Sequence, residues 1–110
     1  MHAIRAMTIE DYDAALRLDP QSALALNNRG RAYAASGNPR RAIEDYDRAL
    51  AFDPSQAYAL DNRAHAYLKL GQRARAAQDF EAAVRLDPSL AAARNKQNFA
   101  ALPDGANEGQ

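Results

Sequence analysis

The 110-residue sequence has no cysteine, few lysines, and equal numbers of Lys+Arg and Asp+Glu, 14 of each. Without cysteine there is no disulfide framework and no thiolate to act as nucleophile or metal ligand. A formal net charge of zero lacks the basic excess of a dedicated nucleic-acid binder and of a polybasic membrane tether. No apolar stretch approaches the roughly 18 residues that a membrane span needs. Residues 1–8 carry one arginine and no sustained apolar run, so they do not read as a secretory signal. There is no Gly-rich phosphate loop and no nucleophile elbow. His65 follows Asp61 by one helical turn, a spacing that can hold a metal, but two ligands are too few and no third His or Cys is near in sequence. The expectation is a soluble cytoplasmic protein with no enzymatic activity, no cofactor and no metal. The shortage of lysine beside arginine suits a GC-rich bacterial genome, and nothing further rests on it.

Hydrophobic residues make up 47% of the chain, much of it alanine, which has the highest helix propensity. A core built on alanine is thin and needs close helix contact. Asp-Pro occurs at Asp19-Pro20, Asp53-Pro54 and Asp87-Pro88, 34 residues apart each time, and the residues between follow the same register. Leu26, Asn28, Arg29, Ala32 and Tyr33 recur as Leu60, Asn62, Arg63, Ala66 and Tyr67. Gly37, Arg41, Ala42, Asp45 and Ala49 recur as Gly71, Arg75, Ala76, Asp79 and Ala83. A fixed period in this range is the signature of a stacked array.

The pattern resembles the tetratricopeptide repeat, a 34-residue helix-turn-helix unit with a bulky residue, Leu-Gly, Tyr, Ala, an aromatic and a closing Pro at set positions. The corresponding residues are Leu26, Arg29-Gly30, Tyr33, Ala42, Tyr46 and Pro54, then Leu60, Arg63-Ala64, Tyr67, Ala76, Phe80 and Pro88. Leucine replaces the usual Trp in both repeats, and arginine replaces the Leu before Gly. The resemblance spans about residues 8–102 and implies an all-α, right-handed α-solenoid. Its parts are a half repeat at 8–20, full repeats at 21–54 and 55–88, and a terminal helix at 89–102, followed by a disordered tail at 103–110.

Local signals agree. Leu26, Gly30, Tyr33 and Gly37 fall on one helical face. Gly37 and Gly71 sit where a left-handed C-cap calls for glycine, and the residue before Pro54 is pushed out of the α region. Helices are expected at about 8–18, 22–36, 39–51, 56–70, 73–85 and 90–101.

Solenoids bind partners along an extended concave surface, which the resemblance assigns to the first helix of each repeat. The implied peptide- or protein-binding residues are Asn27, Asn28, Arg31, Tyr58, Asp61, Asn62, His65, Lys69, Asn95 and Lys96, with Leu24, Ala35, Ala92 and Phe99 on the same face. Amides offer donors and acceptors to an extended backbone, and Tyr58 and Phe99 offer apolar anchors. The function implied is a protein-protein interaction scaffold or adaptor with a protein or peptide partner and no nucleic acid or membrane. The alternatives are a self-assembling repeat protein and an RNA-binding helical repeat, the latter opposed by the zero charge.

Some tetratricopeptide domains hold a chaperone tail's C-terminal carboxylate in a clamp of Lys and Asn side chains. At those positions stand Asn27, Arg31, Asn62, Ala92 and Lys96, so two of the lysines are missing. Arg29 and Arg63 are expected to pair with carboxylates of the series Asp11, Asp45 and Asp79, from their own repeat or the preceding one. A first helix with Ile9, Tyr12 and Leu16 but no hairpin partner is expected to expose apolar surface and favour self-association.

Overall fold

The computed structural model describes residues 7–92. Five helices follow in order: α1 (Ile9–Leu18), α2 (Ala23–Ala35), α3 (Pro39–Phe52), α4 (Ala57–Lys69) and α5 (Arg73–Leu86). Residues 90–92 begin a sixth helical segment. Among the described residues there is no strand, and no helix is long and apolar enough to cross a membrane. The rest of the expected sixth helix and the expected tail lie outside the described residues.

Each boundary has a local cause. Thr8 and Asp11 form a capping box in which Asp11 N donates to Thr8 Oγ1 at 3.2 Å and Thr8 N donates to Asp11 Oδ2 at 2.9 Å. Ser22 caps α2 by accepting from Ala25 N, and Asn38 caps α3 by accepting from Arg41 N, with Pro39 opening that helix. Gln56 and Gln72, the counterparts of Ser22 and Asn38, make no side-chain cap. Both α2 and α4 end in a Schellman turn. Asn38 N and Gln72 N donate to Tyr33 O and Tyr67 O at 2.9 Å. The turn residues Gly37 and Gly71 have φ of 86° and 76°, which a side chain would strain.

α2 packs against α3 and α4 against α5, while α3 and α4 join the two hairpins and α1 lies against α2. Small residues allow the close approach expected of an alanine core: Ala42, Ala49, Ala76 and Ala83 are wholly buried on α3 and α5. Leu16, Ala25, Leu26, Ala49 and Ala59 form one cluster that reaches from α1 to α4. Leu26, in the place of the family's tryptophan, is fully buried, a burial that contributes about 1.5–3 kcal/mol. The aromatics Tyr46 and Phe80 fill equivalent gaps in their hairpins.

Leu16 is buried in the cluster that includes Leu26, and Ile9 and Tyr12 are half-buried. The expected apolar face of α1 is therefore largely covered within the chain. The large apolar side chains that are exposed lie elsewhere, among them Leu18, Phe52 and Leu86 at the ends of α1, α3 and α5, and Leu24 and Tyr58 near the starts of α2 and α4.

Candidate binding groove

Two depressions open along the line where α2 faces α4. One, of about 390 Å³, is lined by Leu24, Asn27, Asn28, Arg31, Tyr58 and Asn62. The other, of about 640 Å³, is lined by Arg31, Asn62, His65 and Lys69 at its polar edge. Its apolar lining is Ala34, Ala35, Pro39, Tyr46 and Ala66, with the buried Tyr46 and Ala66 as its floor. Arg31 and Asn62 belong to both, so the two depressions form one continuous groove.

The helical period places these side chains: Leu24, Asn28 and Arg31 lie at 4- and 3-residue steps on α2, and Tyr58, Asn62, His65 and Lys69 at 4-, 3- and 4-residue steps on α4. Arg31, Tyr58 and Lys69 are exposed, and Asn28, Asp61, Asn62 and His65 are half-buried. Asp61 Oδ2 lies 3.6 Å from His65 Nε2, and the His65 ring meets Phe80 edge-on at 5.0 Å between centroids. These contacts orient the imidazole between groove and core. Asn95 and Lys96 lie outside the described residues.

Asn27 departs from expectation. It is buried, only 6% exposed, and its Oδ1 accepts from Asn62 Nδ2 at 3.0 Å. A buried amide with a hydrogen-bond partner avoids most of the desolvation cost. Asn27 therefore acts as a strut that fixes Asn62 across the two helices at the edge of the smaller depression.

The arginines at positions 29 and 63 hold the groove walls in register. Arg29 Nε and Nη2 donate to the two oxygens of Asp45 at 2.9 and 2.8 Å, and its Nη1 donates to Asp13 at 2.8 Å. Arg63 repeats the arrangement with Asp79 and Asp47, all three bonds at 2.8 Å. The within-hairpin partners Asp45 and Asp79 are those the period indicates. The partner from the preceding helix is Asp13 or Asp47, not a residue of the Asp11 series; Asp11 sits in the capping box. The recurrence of Asp13 as Asp47 was the available signal for this second carboxylate. Hydrogen bonding to Asp45 and Asp79 outweighs burial and raises the pKa of Arg29 and Arg63 above the ordinary guanidinium value. Tyr33 lies between Arg29 and Arg41, and Tyr67 between Arg63 and Arg75, with guanidinium-to-centroid distances of 5.1–6.0 Å.

The groove floor holds residues that the polar pattern did not single out. Tyr46 reaches it from α3 although the side chain is almost fully buried. Burial pushes its phenol up to about 12.

Tetratricopeptide repeat models match residues 23–56 and 57–90. None of the curated proteins matches the chain. Among solved structures, the second TPR of Spaghetti (RPAP3), bound to the HSP90 peptide SRMEEVD, is 33% identical, with 72% of this chain and 73% of that chain covered and a TM-score of 0.70. The second TPR domain of human RPAP3, in complex with the HSP70 peptide SGPTIEEVD, is 34% identical over 73% of this chain and 67% of that one, with a TM-score of 0.69. The Arabidopsis OM64 TPR domain is 25% identical over 84% and 77% of the two chains, with a TM-score of 0.78.

Proposed function

The chain belongs to the tetratricopeptide repeat family, and from that premise we propose that it is a protein-interaction module whose α2–α4 groove holds an extended, acidic segment of a partner. The observation that carries this reading is the continuity of the groove through Arg31 and Asn62. An extended segment needs a track longer than one pocket, and two joined depressions supply it.

The chemistry along the track is graded. Leu24 and Tyr58 offer an apolar contact at one end. The amides Asn28 and Asn62 suit a peptide backbone, which presents both donors and acceptors. At the other end Arg31, His65 and Lys69 surround an apolar floor, which suits an apolar side chain next to a carboxylate. Asp61, 3.6 Å from His65, offsets part of the positive charge of Arg31 and Lys69. The peptides held by the two RPAP3 domains are themselves acidic, each ending in Glu-Glu-Val-Asp. Asn27 and Ala92 stand where the carboxylate clamp has lysines, so the reading is an acidic segment and not that chaperone tail in particular.

The cytoplasmic setting expected from the cysteine-free sequence goes with this reading. Self-association has less motive, because Leu16 is covered within the chain.

The test is capture of an acidic heptapeptide such as SRMEEVD, followed by fluorescence anisotropy, with wild type, Arg31→Ala and Asn62→Ala. Each change is expected to weaken binding about tenfold or more, and added salt to weaken the wild type further. Equal affinity in all three proteins would place the ligand outside the groove.

A further inference from the structure

We propose that the cleft between α1 and α3 is a second binding site, for a phosphate monoester, held by Arg17, Arg41 and Arg48. The cleft has a volume of about 400 Å³ and shares no lining residue with the groove.

The repeat supplies an internal comparison. The cleft's ion-pair framework, Asp13, Arg29, Tyr33 and Arg41, recurs 34 residues later as Asp47, Arg63, Tyr67 and Arg75. Leu16 and Pro20 recur as Leu50 and Pro54. Only the two remaining lining residues change, Arg17 to Ala51 and Arg48 to Ala82. The equivalent place one repeat on, between α3 and α5, has alanine at both positions, so the fold does not need these two guanidinium groups. They are an addition at one location.

The charges there are unevenly answered. Arg29 is fully committed to Asp45 and Asp13. Asp13, the one carboxylate lining the cleft, shares Arg29 with Asp45, so that cluster carries one net negative charge. Arg41 lies over the Tyr33 ring and reaches Glu44 only at 3.5 Å. Arg17 and Arg48 are exposed and have no ion pair among the described residues. Arg17, Arg41 and Arg48, set against Glu44 and the surplus carboxylate of the Arg29 cluster, leave the cleft with one net positive charge. A phosphate monoester near neutral pH carries close to two negative charges, and its oxygens match the planar N–H forks of arginine. A carboxylate has two oxygens and meets one guanidinium fork, whereas the three terminal oxygens of a phosphate monoester can meet three. Tyr33 and Leu16 give the ester's carbon an apolar wall. The same phosphoryl chemistry belongs to a small phosphorylated molecule and to a phosphoserine on a protein partner.

The test uses arginine Nε–Hε NMR signals of the whole chain. Inorganic phosphate should shift those of Arg17 and Arg48 saturably, and chloride at equal ionic strength should not. The double variant Arg17→Ala/Arg48→Ala, which copies Ala51 and Ala82 one repeat on, should keep its helical circular dichroism and lose about tenfold or more in phosphate affinity. The reverse pair, Ala51→Arg/Ala82→Arg, should create a second phosphate-responsive site, which keeps the proposal open to failure even if the first variant folds poorly. A phosphoserine peptide that binds more tightly than both phosphate and its unphosphorylated form identifies a protein partner; no such gain points to a small molecule. Absence of saturable shifts, equal phosphate response in the alanine variant, or no new response in the arginine variant each overturns the proposal.

Discussion

Gly30 and Tyr46 share one contact: a Cβ placed on Gly30 would come within 2.5 Å of Tyr46 Cε1 and 3.1 Å of Ala42 O. The missing side chain lets α2 lie directly on the ring that forms part of the groove floor. Alanine would add about 1 kcal/mol of helix propensity, but the ring is confined and the nearby carbonyl is backbone. Overpacking of this kind costs about 1–3 kcal/mol, so Gly30→Ala is expected to destabilise the fold. The urea midpoint should fall, and a rise would show that Tyr46 moves aside at little cost.

Removing the arginine fasteners should be more damaging. Arg29→Ala leaves Asp45, whose side chain is 3% exposed, without its bidentate partner. Breaking a buried pair in this way costs about 3–5 kcal/mol. Arg63→Ala should cost less, because Arg63 and Asp79 are both more exposed than Arg29 and Asp45. Chemical denaturation of the two variants gives the order directly; equal losses would mean that burial does not set the cost.

Alkaline pH should weaken the fold through Tyr46. Its phenol holds its proton more tightly when buried, with a folded value of about 12 against an ordinary value of 10.0. The stabilisation is complete below pH 10 and is lost as the pH rises through the folded value. Tyr46→Phe, which reproduces Phe80 of the second hairpin, should flatten this part of the stability curve. Thermal melts of both proteins across the window would show it, and an unchanged alkaline decline would assign the loss to other groups.

The start of α4 can be improved. Gln56 occupies the N-cap position with extended backbone and no capping bond, and its Oε1 is buried without a partner. Gln56→Ser copies the cap that Ser22 gives α2 through Ala25 N at 3.1 Å. A gain of about 0.5–2 kcal/mol is expected, read as a higher urea midpoint. No gain would mean that the glutamine's packing matters more than its missing cap.

The fold was legible because its causes are local and repeated. Gly37 and Gly71 stop their helices by backbone geometry, and Ala42, Tyr46 and Ala49 mark a buried face by spacing alone. Arg29 and Arg63 pointed to Asp45 and Asp79 because a hairpin always brings those positions together. The groove was harder to read. Asn27 looks like its neighbour Asn28, and only the facing Asn62 decides that one is buried and bonded while the other lines the surface. Tyr46 reads as core from its spacing, yet it also reaches the groove because Gly30 leaves it space. Both outcomes depend on pairs across helices, which a one-dimensional period does not contain.

Each full repeat carries a guanidinium that grips its own hairpin and the helix before it, and the first also carries Asp47, the carboxylate that meets the next arginine. A segment with both halves of such a fastener can be duplicated in tandem without redesign, because every new junction presents the same geometry as the last. Lengthening the array then requires only that copies remain in frame, while residues outside the fastener, such as Arg17 and Arg48 beside Ala51 and Ala82, are free to diverge unit by unit.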